Sequence, residues 1–213
     1  MRIALDDRAP TFSGMGIYTK SLANIYQKLG HEVWLYHDDL AVSRNSFLQK
    51  YFNFLRRILR ENFHLVKWLQ KNSIDIYHAS RNMGVPLFPS ISIVVTIHDV
   101  IPIVFPKQYL GNILERLYYK IFLRLSVNNS KKIITVSEFT KRELINVYGI
   151  EANKIIVVPN GYNNSFRRIY NRNLLQAIKE KYKLDEKFIL SIGGSEYRKN
   201  LQRLIHVYQK HFS

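Results

Sequence analysis

Short apolar runs alternate with longer amphipathic stretches along most of this 213-residue chain. The runs are rich in β-branched residues, as the buried strands of a parallel sheet are. Strands are predicted at residues 3–5, 33–36, 74–78, 91–97, 133–136, 155–158 and 188–192. Helices are predicted at residues 17–29, 47–69, 110–125, 138–148, 174–182 and 200–209. Strands and helices that alternate in this way predict an α/β protein, with a Rossmann-like parallel sheet and helices on both faces.

The stretch between residues 133 and 166 contains the clearest signals for where a helix or strand begins and ends. Ser137 stands where a helix N-cap is expected, and Gly149 stands where that helix stops. The next apolar run is closed by Pro159 and the turn pair Asn160-Gly161. This order predicts a strand, a helix, a second strand and a turn.

The composition changes after Asn160. Residues 160–173 are polar and rich in turn formers, which is typical of an interdomain linker. Residues 174–213 then hold one predicted strand between two predicted helices, and a single strand has no partner to form a sheet. We therefore predict a domain at 1–165, with 166–213 forming the linker and an incomplete start of a second domain.

Several polar or flexible residues fall where predicted strands end. Gly14 and Gly16 lie between the first strand and the first helix, where glycines admit a close ligand and the helix N-terminus favours an anion. A tight turn with close packing is the other interpretation. His98 and Asp99 end the fourth strand, at the edge where open α/β sheets bind ligands. His98 is a ligand-orienting side chain or a cap of its loop, and Asp99 is expected to be a turn or helix-cap residue. His78, at another strand end, is expected to be a packing residue.

A basic site that could bind phosphate is suggested near the C-terminus. Arg198 and Lys199 follow the glycine pair Gly193-Gly194 and precede a predicted helix. A bidentate guanidinium and an ammonium at such a position suit a phosphate group held by helix N–H groups. The alternative is an exposed helix start, which basic residues do not favour on dipole grounds.

The net charge of +16 suggests a polyanionic partner, although a lysine-rich composition with solvated faces is the plainer explanation. Nucleic acid is not expected, since no alternation of exposed aromatic and basic residues marks an RNA-binding module. The chain has no cysteine, no apolar run long enough to span a bilayer and no clustered metal ligands. We expect a cytoplasmic protein without a metal cofactor.

The predicted helix at 47–69, continued to Lys71, is amphipathic and strongly basic on one face. A face of this kind, around Arg57, Arg60 and Lys67, can lie on the anionic inner surface of the plasma membrane as a peripheral contact. A core helix with a solvated basic face has the same pattern. In both cases the apolar stripe is expected to pack on the sheet.

Three motifs together resemble the retaining glycosyltransferases of family 4, which have the two-domain GT-B fold. They are Val-Ser-x-Phe, Lys-Ile-x-Val-x-Pro-Asn-Gly and Gly-x-x-x-x-Arg-Lys-Asn, which begin at Val136, Lys154 and Gly193. The resemblance implies transfer of a hexosyl group, of mannosyl or rhamnosyl type, from a nucleotide sugar. The implied acceptor is a saccharide or lipid-linked saccharide of surface polysaccharide biosynthesis, and the anomeric configuration is retained.

The resemblance also implies roles for individual residues. His98 contacts the transferred sugar, whereas Arg198 and Lys199, with Gly14 and Gly16, bind the donor diphosphate. The cleft is lined by four further residues, which are Asp99, Ser137, Asn160 and Gly193. No metal cofactor is implied.

Two departures from the family pattern bear on activity. Gly194 occupies the position that is often arginine, and the Glu-x7-Glu signature of the donor-binding domain is absent. We therefore expect these 213 residues to be an incomplete, inactive version of the enzyme. The alternative is a non-catalytic remnant that binds a phosphorylated glycan or an anionic membrane.

Overall fold

A computed structural model of the chain describes residues 1–37, 59–162, 166–184, 187–192 and 196–212. The chain divides into two compact units, Met1–Asn160 and Gly161–Ser213. The first unit holds the sheet, and the second contributes helices.

Six strands within the described residues form one fully parallel sheet in the order β2-β1-β3-β4-β5-β6. The strands are β1 Arg2–Asp6, β2 Glu32–Tyr36, β3 Ile76–Ala79, β4 Ser92–Ile97, β5 Lys132–Thr135 and β6 Ile155–Val157. Each was predicted from its apolar run, and the predicted α/β fold class is confirmed. Because all six strands run the same way, their carboxyl ends meet at a single edge of the sheet.

The α-helices that the structure describes in the first unit are α1 Gly14–Lys28, α2 Leu65–Lys71, α3 Ile101–Val104, α4 Pro106–Tyr109, α5 Ile113–Asn129 and α6 Glu138–Tyr148. The second unit contains α7 Arg172–Tyr182 and α8 Leu201–Phe212. The chain moves outward from β1 to β2 and then returns past β1 to β3. Right-handed crossovers therefore place α1 on one face of the sheet and the later helices on the other. The reversal makes the gap between β1 and β3 the topological switch point.

The core lies along the middle strands, where side chains on both faces are buried. Tyr77, Ile93, Val95 and Ile133, at most 1% exposed, share one face of the sheet. Leu5, His78 and Thr96, at most 2% exposed, share the other. Leu123 from α5 is also completely buried. Continuous burial on both faces explains why these strands appear as unbroken apolar runs instead of alternating patterns.

One predicted strand does not form. Residues 188–192 have no strand structure, and Phe188 is 52% and Ile192 87% exposed. A strand needs a neighbour for its backbone N–H and C=O groups. The described part of Gly161–Ser213 contains no second strand that could supply one.

The predicted helix at 47–69 is described only from residue 59 onward, and its first described turns are not a regular α-helix. Residues 47–58, including Arg57, lie outside the described residues. The described part begins with a π-helical segment, Arg60–His64, that continues into α2. Leu59 and Phe63 are exposed instead of packing on the sheet, whereas Glu61 is buried. A π turn holds an extra residue and so rotates the faces on either side of it. The expectation that these apolar residues face the sheet is therefore wrong.

Candidate functional site

The carboxyl edge of the sheet collects most of the predicted site residues of the first unit. The loop after β1 leads into the glycines of α1, and His98 directly follows β4. Ser137 stands two residues after β5, and Asn160 stands three residues after β6. This edge is where open parallel sheets bind their ligands, so topology alone gathers these residues at a candidate site.

The two glycines differ in what surrounds them. Ser13 caps α1, because its Oγ accepts the Gly16 N–H at 3.1 Å and donates to the Pro10 carbonyl at 2.6 Å. A Cβ added at Gly16 would lie 2.2 Å from that carbonyl oxygen, whereas a Cβ at Gly14 would have no neighbour within 4 Å. Gly16 is therefore required for packing, and Gly14 leaves the start of α1 open to a ligand.

We expect Gly16→Ala to lower the free energy of unfolding by about 1 to 3 kcal/mol, because backbone must move away from the new Cβ. The matched change Gly14→Ala has free space and removes a flexible residue from a helix, so it is expected to be neutral or slightly stabilising. Chemical denaturation of both variants measures the difference. Equal destabilisation by the two changes would contradict this assignment.

His98 is held by its loop in a defined orientation. Its main-chain N–H donates to Asn82 Oδ1 at 2.8 Å, and its Nε2 lies 2.9 Å from the Ser80 carbonyl oxygen. A carbonyl only accepts hydrogen bonds, so Nε2 carries the proton and Nδ1 of the neutral ring is an acceptor. The half-buried imidazole can thus receive a hydrogen bond from a ligand hydroxyl.

The ring of His98 also contacts the first helix. Tyr18 of α1 packs edge-on against it with ring centroids 4.9 Å apart. The Tyr18 hydroxyl lies 3.2 Å from Thr96 Oγ1, which in turn lies 2.7 Å from Nε2 of His78. This contact brings the glycine-containing start of α1 and the end of β4 together.

His78 lies in the interior and not in the cleft. Its side chain is 2% exposed, and its Nδ1 lies 3.3 Å from the Tyr26 hydroxyl. Burial, with a smaller contribution from His98, lowers the pKa of His78 to about 4. The ring is therefore neutral near pH 7, and its contacts are those of a packing residue.

Two of the predicted cleft residues use their side chains to start helices. Asp99 Oδ1 accepts the N–H of Ile101 at 3.2 Å, at the beginning of α3. Ser137 Oγ accepts the N–H of Thr140 at 3.1 Å and caps α6. The Thr140 hydroxyl also lies 3.5 Å from the His98 carbonyl oxygen, so the start of α6 adjoins His98. Asn160 is exposed beyond β6.

Asn82 is a site residue that the sequence prediction missed. Besides accepting the His98 N–H, its Nδ2 donates to the Asp99 carbonyl at 3.0 Å and lies 3.4 Å from the Tyr119 hydroxyl. Burial raises the pKa of Tyr119 to about 12, so this hydroxyl stays protonated. The sequence feature that could have identified Asn82 is the position of an amide side chain three residues after β3, at the carboxyl edge of the sheet.

The predicted phosphate-binding pair belongs to the second unit. Arg198 and Lys199 form a 3₁₀ turn, Tyr197–Lys199, and Asn200 then adopts a left-handed conformation before α8. Arg198 Nε donates to Glu196 Oε2 at 2.7 Å. The two residues thus precede the helix and are not part of it. Gly193 and Gly194 lie outside the described residues.

A buried ion cluster at the switch point was not predicted. Both carboxylate oxygens of the fully buried Asp6 are used, with Arg8 donating at 2.8 and 2.7 Å and Arg81 at 2.9 Å. Glu61 approaches the same arginines at 3.5 and 3.8 Å. Gly84 has a φ of +117°, and a Cβ there would lie 2.6 Å from Asp6 Oδ2. The cluster therefore ties together the loops that follow β1 and β3.

The described residues contain no group of three or more His, Asp or Glu side chains placed to hold a metal ion. Likewise, none of the helices that the structure describes is long and apolar enough to cross a bilayer.

Comparison with known proteins gives similarities over most of the chain. The sequence model of Glycosyltransferase Family 4 matches residues 12–166. O-antigen chain mannosyltransferase RfbU of Salmonella typhimurium is 25% identical over 190 residues, which are 89% of this chain and 48% of that protein. Serotype-specific mannosyltransferase WbdA of Escherichia coli is 31% identical over 112 residues, or 52% of this chain and 14% of that protein. The chain thus spans about half or less of the length of these curated relatives.

Solved structures show the same fold. A glycosyltransferase from Rickettsia africae ESF-5 aligns with a TM-score of 0.54 at 19% identity, covering 87% of this chain and 50% of that one. The Anabaena protein Alr3699/HepE in complex with UDP-glucose aligns with the same TM-score at 10% identity, covering 99% of this chain and 66% of that one.

Proposed function

Because this chain belongs to Glycosyltransferase Family 4, we propose that it supplies the acceptor-side part of an enzyme that transfers a hexosyl group with retention of configuration. The proposed donor is a nucleotide sugar, and the proposed acceptor is a saccharide or lipid-linked saccharide of surface polysaccharide synthesis. The observation that carries the proposal is the contact between the glycine-containing start of α1 and His98, through Tyr18, at the carboxyl edge of the sheet.

The relatives support the choice of sugar and donor. RfbU and WbdA are both described as mannosyltransferases, which favours a mannosyl over a rhamnosyl donor. HepE was solved with UDP-glucose, which supports a nucleotide sugar as the class of donor.

The geometry supports separate roles for the residues of the first unit. His98 is proposed to receive a hydrogen bond from a sugar hydroxyl on Nδ1, because its Nε2–H is already used by Ser80. Gly14 is proposed to let the donor phosphates approach the start of α1, because a Cβ at this position would have no neighbour within 4 Å. Both interactions position the sugar relative to its leaving group, which is where much of the rate acceleration in transfer reactions arises.

Charge neutralisation is assigned to the second unit. Arg198 and Lys199 are proposed to stabilise the nucleoside diphosphate as it leaves, a role in which preorganised cations lower the barrier. Within Gly161–Ser213 they lie in an exposed 3₁₀ turn with no strand beneath them in the described residues. We therefore propose that these 213 residues do not catalyse transfer without further structure around this turn.

The proposed reaction is tested with the chain extended after Ser213 by a complete donor-binding domain. Mannose and rhamnose donors carrying GDP, UDP or dTDP are offered with lipid-linked saccharides, and the product is examined by NMR. We expect one donor to be used, giving a product with the anomeric configuration of the donor. A product of inverted configuration would contradict the retaining assignment, and transfer from no donor would contradict the proposed activity.

A further inference from the structure

Helix α5 exposes apolar side chains on the face turned away from the sheet. Ile113, Leu114, Leu117 and Ile121 are 72%, 64%, 53% and 44% exposed. Their spacing of one, three and four residues places them on one side of the helix, and we call this set the α5 stripe. The residues that α5 buries, Leu123, Ser126 and Val127, lie on the other side.

The α5 stripe departs from the usual pattern of a surface helix. Such a helix buries its apolar residues on the core and presents polar ones to water. Helix α5 buries Leu123 and Val127 in this way, but four large aliphatic side chains also line its outward side over more than two turns. A contiguous exposed apolar patch on a folded domain marks a surface that contacts another body.

Basic residues border the α5 stripe. Lys120 and Arg124 are exposed on α5, and Lys107 is exposed on the preceding short helix α4. Glu115 is the one acidic residue in the sequence of α5, and it lies in the first turn, where its Oε2 accepts the Gly111 N–H at 2.9 Å. The partner must therefore offer apolar material and negative charge side by side.

We propose that α5 lies flat on an anionic lipid bilayer, with the α5 stripe at the boundary of headgroups and acyl chains. Lys107, Lys120 and Arg124 then meet lipid phosphates, as the basic residues of interfacial helices do. A helix in this position needs no spanning segment. The net charge of +16 on the whole chain acts in the same direction at longer range.

Charge argues against a second copy of the chain as the occupant. A two-fold contact between α5 stripes would place equivalent surfaces opposite each other. The cations of one helix would face the cations of the other, with one acid on each side to offset them. An anionic bilayer pairs the same cations with opposite charge, so it satisfies both features of the surface.

The proposed contact also bears on the candidate site. The chain passes from His98 to α5 through only α3 and α4. A bilayer that holds α5 would thus hold a segment closely connected to the sheet edge where a lipid-linked acceptor is expected. This consequence rests on the proposed function, whereas binding to the bilayer does not.

Vesicle co-sedimentation of the 213-residue chain tests the contact without any sugar substrate. Vesicles of equimolar phosphatidylglycerol and phosphatidylcholine are compared with pure phosphatidylcholine. The double variant Leu117→Gln/Ile121→Gln is expected to lower partitioning into anionic vesicles at least about tenfold. The matched control Ile25→Gln/Leu29→Gln changes an equally spaced pair at the carboxyl end of α1, whose C-cap is Leu29. These two side chains are 51% and 66% exposed, and the control should change partitioning less than about twofold.

The charged residues are tested separately. Lys120→Gln/Arg124→Gln is expected to weaken binding roughly fivefold per residue and to reduce its dependence on salt. Arg60→Gln/Lys67→Gln examines the basic face that the sequence suggested. Unchanged circular dichroism melting shows that each variant is folded, since all the replaced apolar side chains are exposed.

Three results would overturn the proposal. One is unchanged vesicle binding of Leu117→Gln/Ile121→Gln. Another is a loss of binding in Arg60→Gln/Lys67→Gln that the stripe variant does not share. The third is a concentration-dependent dimer in sedimentation velocity that the stripe variant abolishes while vesicle binding persists, because the stripe would then be a contact between copies.

Discussion

The 213-residue chain is expected to give no sugar transfer above background, and the same chain extended by a complete donor-binding domain is expected to turn over. Transfer needs donor and acceptor fixed in one cleft, because positioning and stabilisation of the leaving diphosphate lower the barrier. Arg198 and Lys199 precede an exposed helix in a unit whose described residues form no strand. We do not expect a turn with no strand beneath it in the described residues to hold a phosphate within the fraction of an ångström that catalysis requires. A radiolabelled nucleotide-sugar assay compares the two proteins directly.

Two substitutions in the extended protein separate the proposed roles. Lys199→Ala is expected to lower kcat about 100- to 1,000-fold, because one charge that stabilises the leaving group is lost. His98→Ala is expected to lower kcat about 100-fold through loss of sugar orientation. Their controls are Lys210→Ala, in the last turn of α8, and His31→Ala, beside the amino end of β2.

Equal turnover by the short and extended proteins would show that the incomplete-enzyme interpretation is wrong. Full activity of His98→Ala would remove that residue from the site. If the extended protein binds a phosphorylated glycan but transfers nothing, the non-catalytic alternative is favoured.

Replacing Asp6 with asparagine is expected to cost about 3 to 5 kcal/mol of unfolding free energy. Both carboxylate oxygens accept from arginine, so the amide group of asparagine would face a guanidinium and leave buried charge unpaired. The matched control is Glu32→Gln, which breaks an ion pair to Arg2 whose side chains are about half exposed. That change is expected to cost no more than about 1 kcal/mol. Urea denaturation of both variants provides the comparison.

The same contacts make the stability that Asp6 contributes depend on pH. Burial raises the pKa of Asp6, but the charges of Arg81 and Arg8 outweigh it and hold the pKa well below the ordinary carboxyl range. A depressed native pKa gives stability that is complete above the unfolded pKa of about 4 and is lost as the pH falls toward the native value. The free energy of unfolding of the native protein should therefore fall toward that of Asp6→Asn as the pH drops below about 4. A difference between them that stays constant down to pH 2 would contradict this assignment.

His78 affects the absolute stabilities in an adjacent pH range. Its pKa is lowered to about 4 in the folded chain, so the stability it contributes is complete above its unfolded pKa of about 6.5. That contribution is lost as the pH falls from about 6.5 to 4 in both proteins. Comparing the native protein with Asp6→Asn at each pH cancels it and isolates the carboxylate.

Local sequence patterns were sufficient for most of the fold. Ser137 and Gly149 bound α6 as predicted, with the serine hydroxyl on the Thr140 N–H and the glycine at a φ of 65°. These assignments succeed because caps and buried parallel strands depend on neighbouring residues. The two short helices α3 and α4 were missed because Pro102 and Pro106, near their starts, stand in an apolar stretch that has no helical period.

Features that depend on distant partners could not be predicted from the sequence. Asp6 and Arg8 sit in a charged segment that resembles a solvated loop, and their partner Arg81 is more than 70 residues away. The run at 188–192 is as apolar as the strands that form, but it can become a strand only beside another strand that pairs with its backbone. The placement of Gly14, His98 and Ser137 at one edge followed from strand order, whereas the Asn82 and Tyr18 contacts required the structure.

The π-helical segment Arg60–His64 has a consequence for how this chain compares with its relatives. A wide turn of this kind is what a single inserted residue leaves when the helix beyond it keeps its contacts with the sheet. The wide turn places Glu61 inward, toward two arginines, and Leu59 and Phe63 outward. A relative with a regular α-helix at this place, aligned without a gap, would pair its inward positions with outward ones of this chain. For such a relative, a one-residue gap between residues 59 and 65 is expected to restore the correspondence.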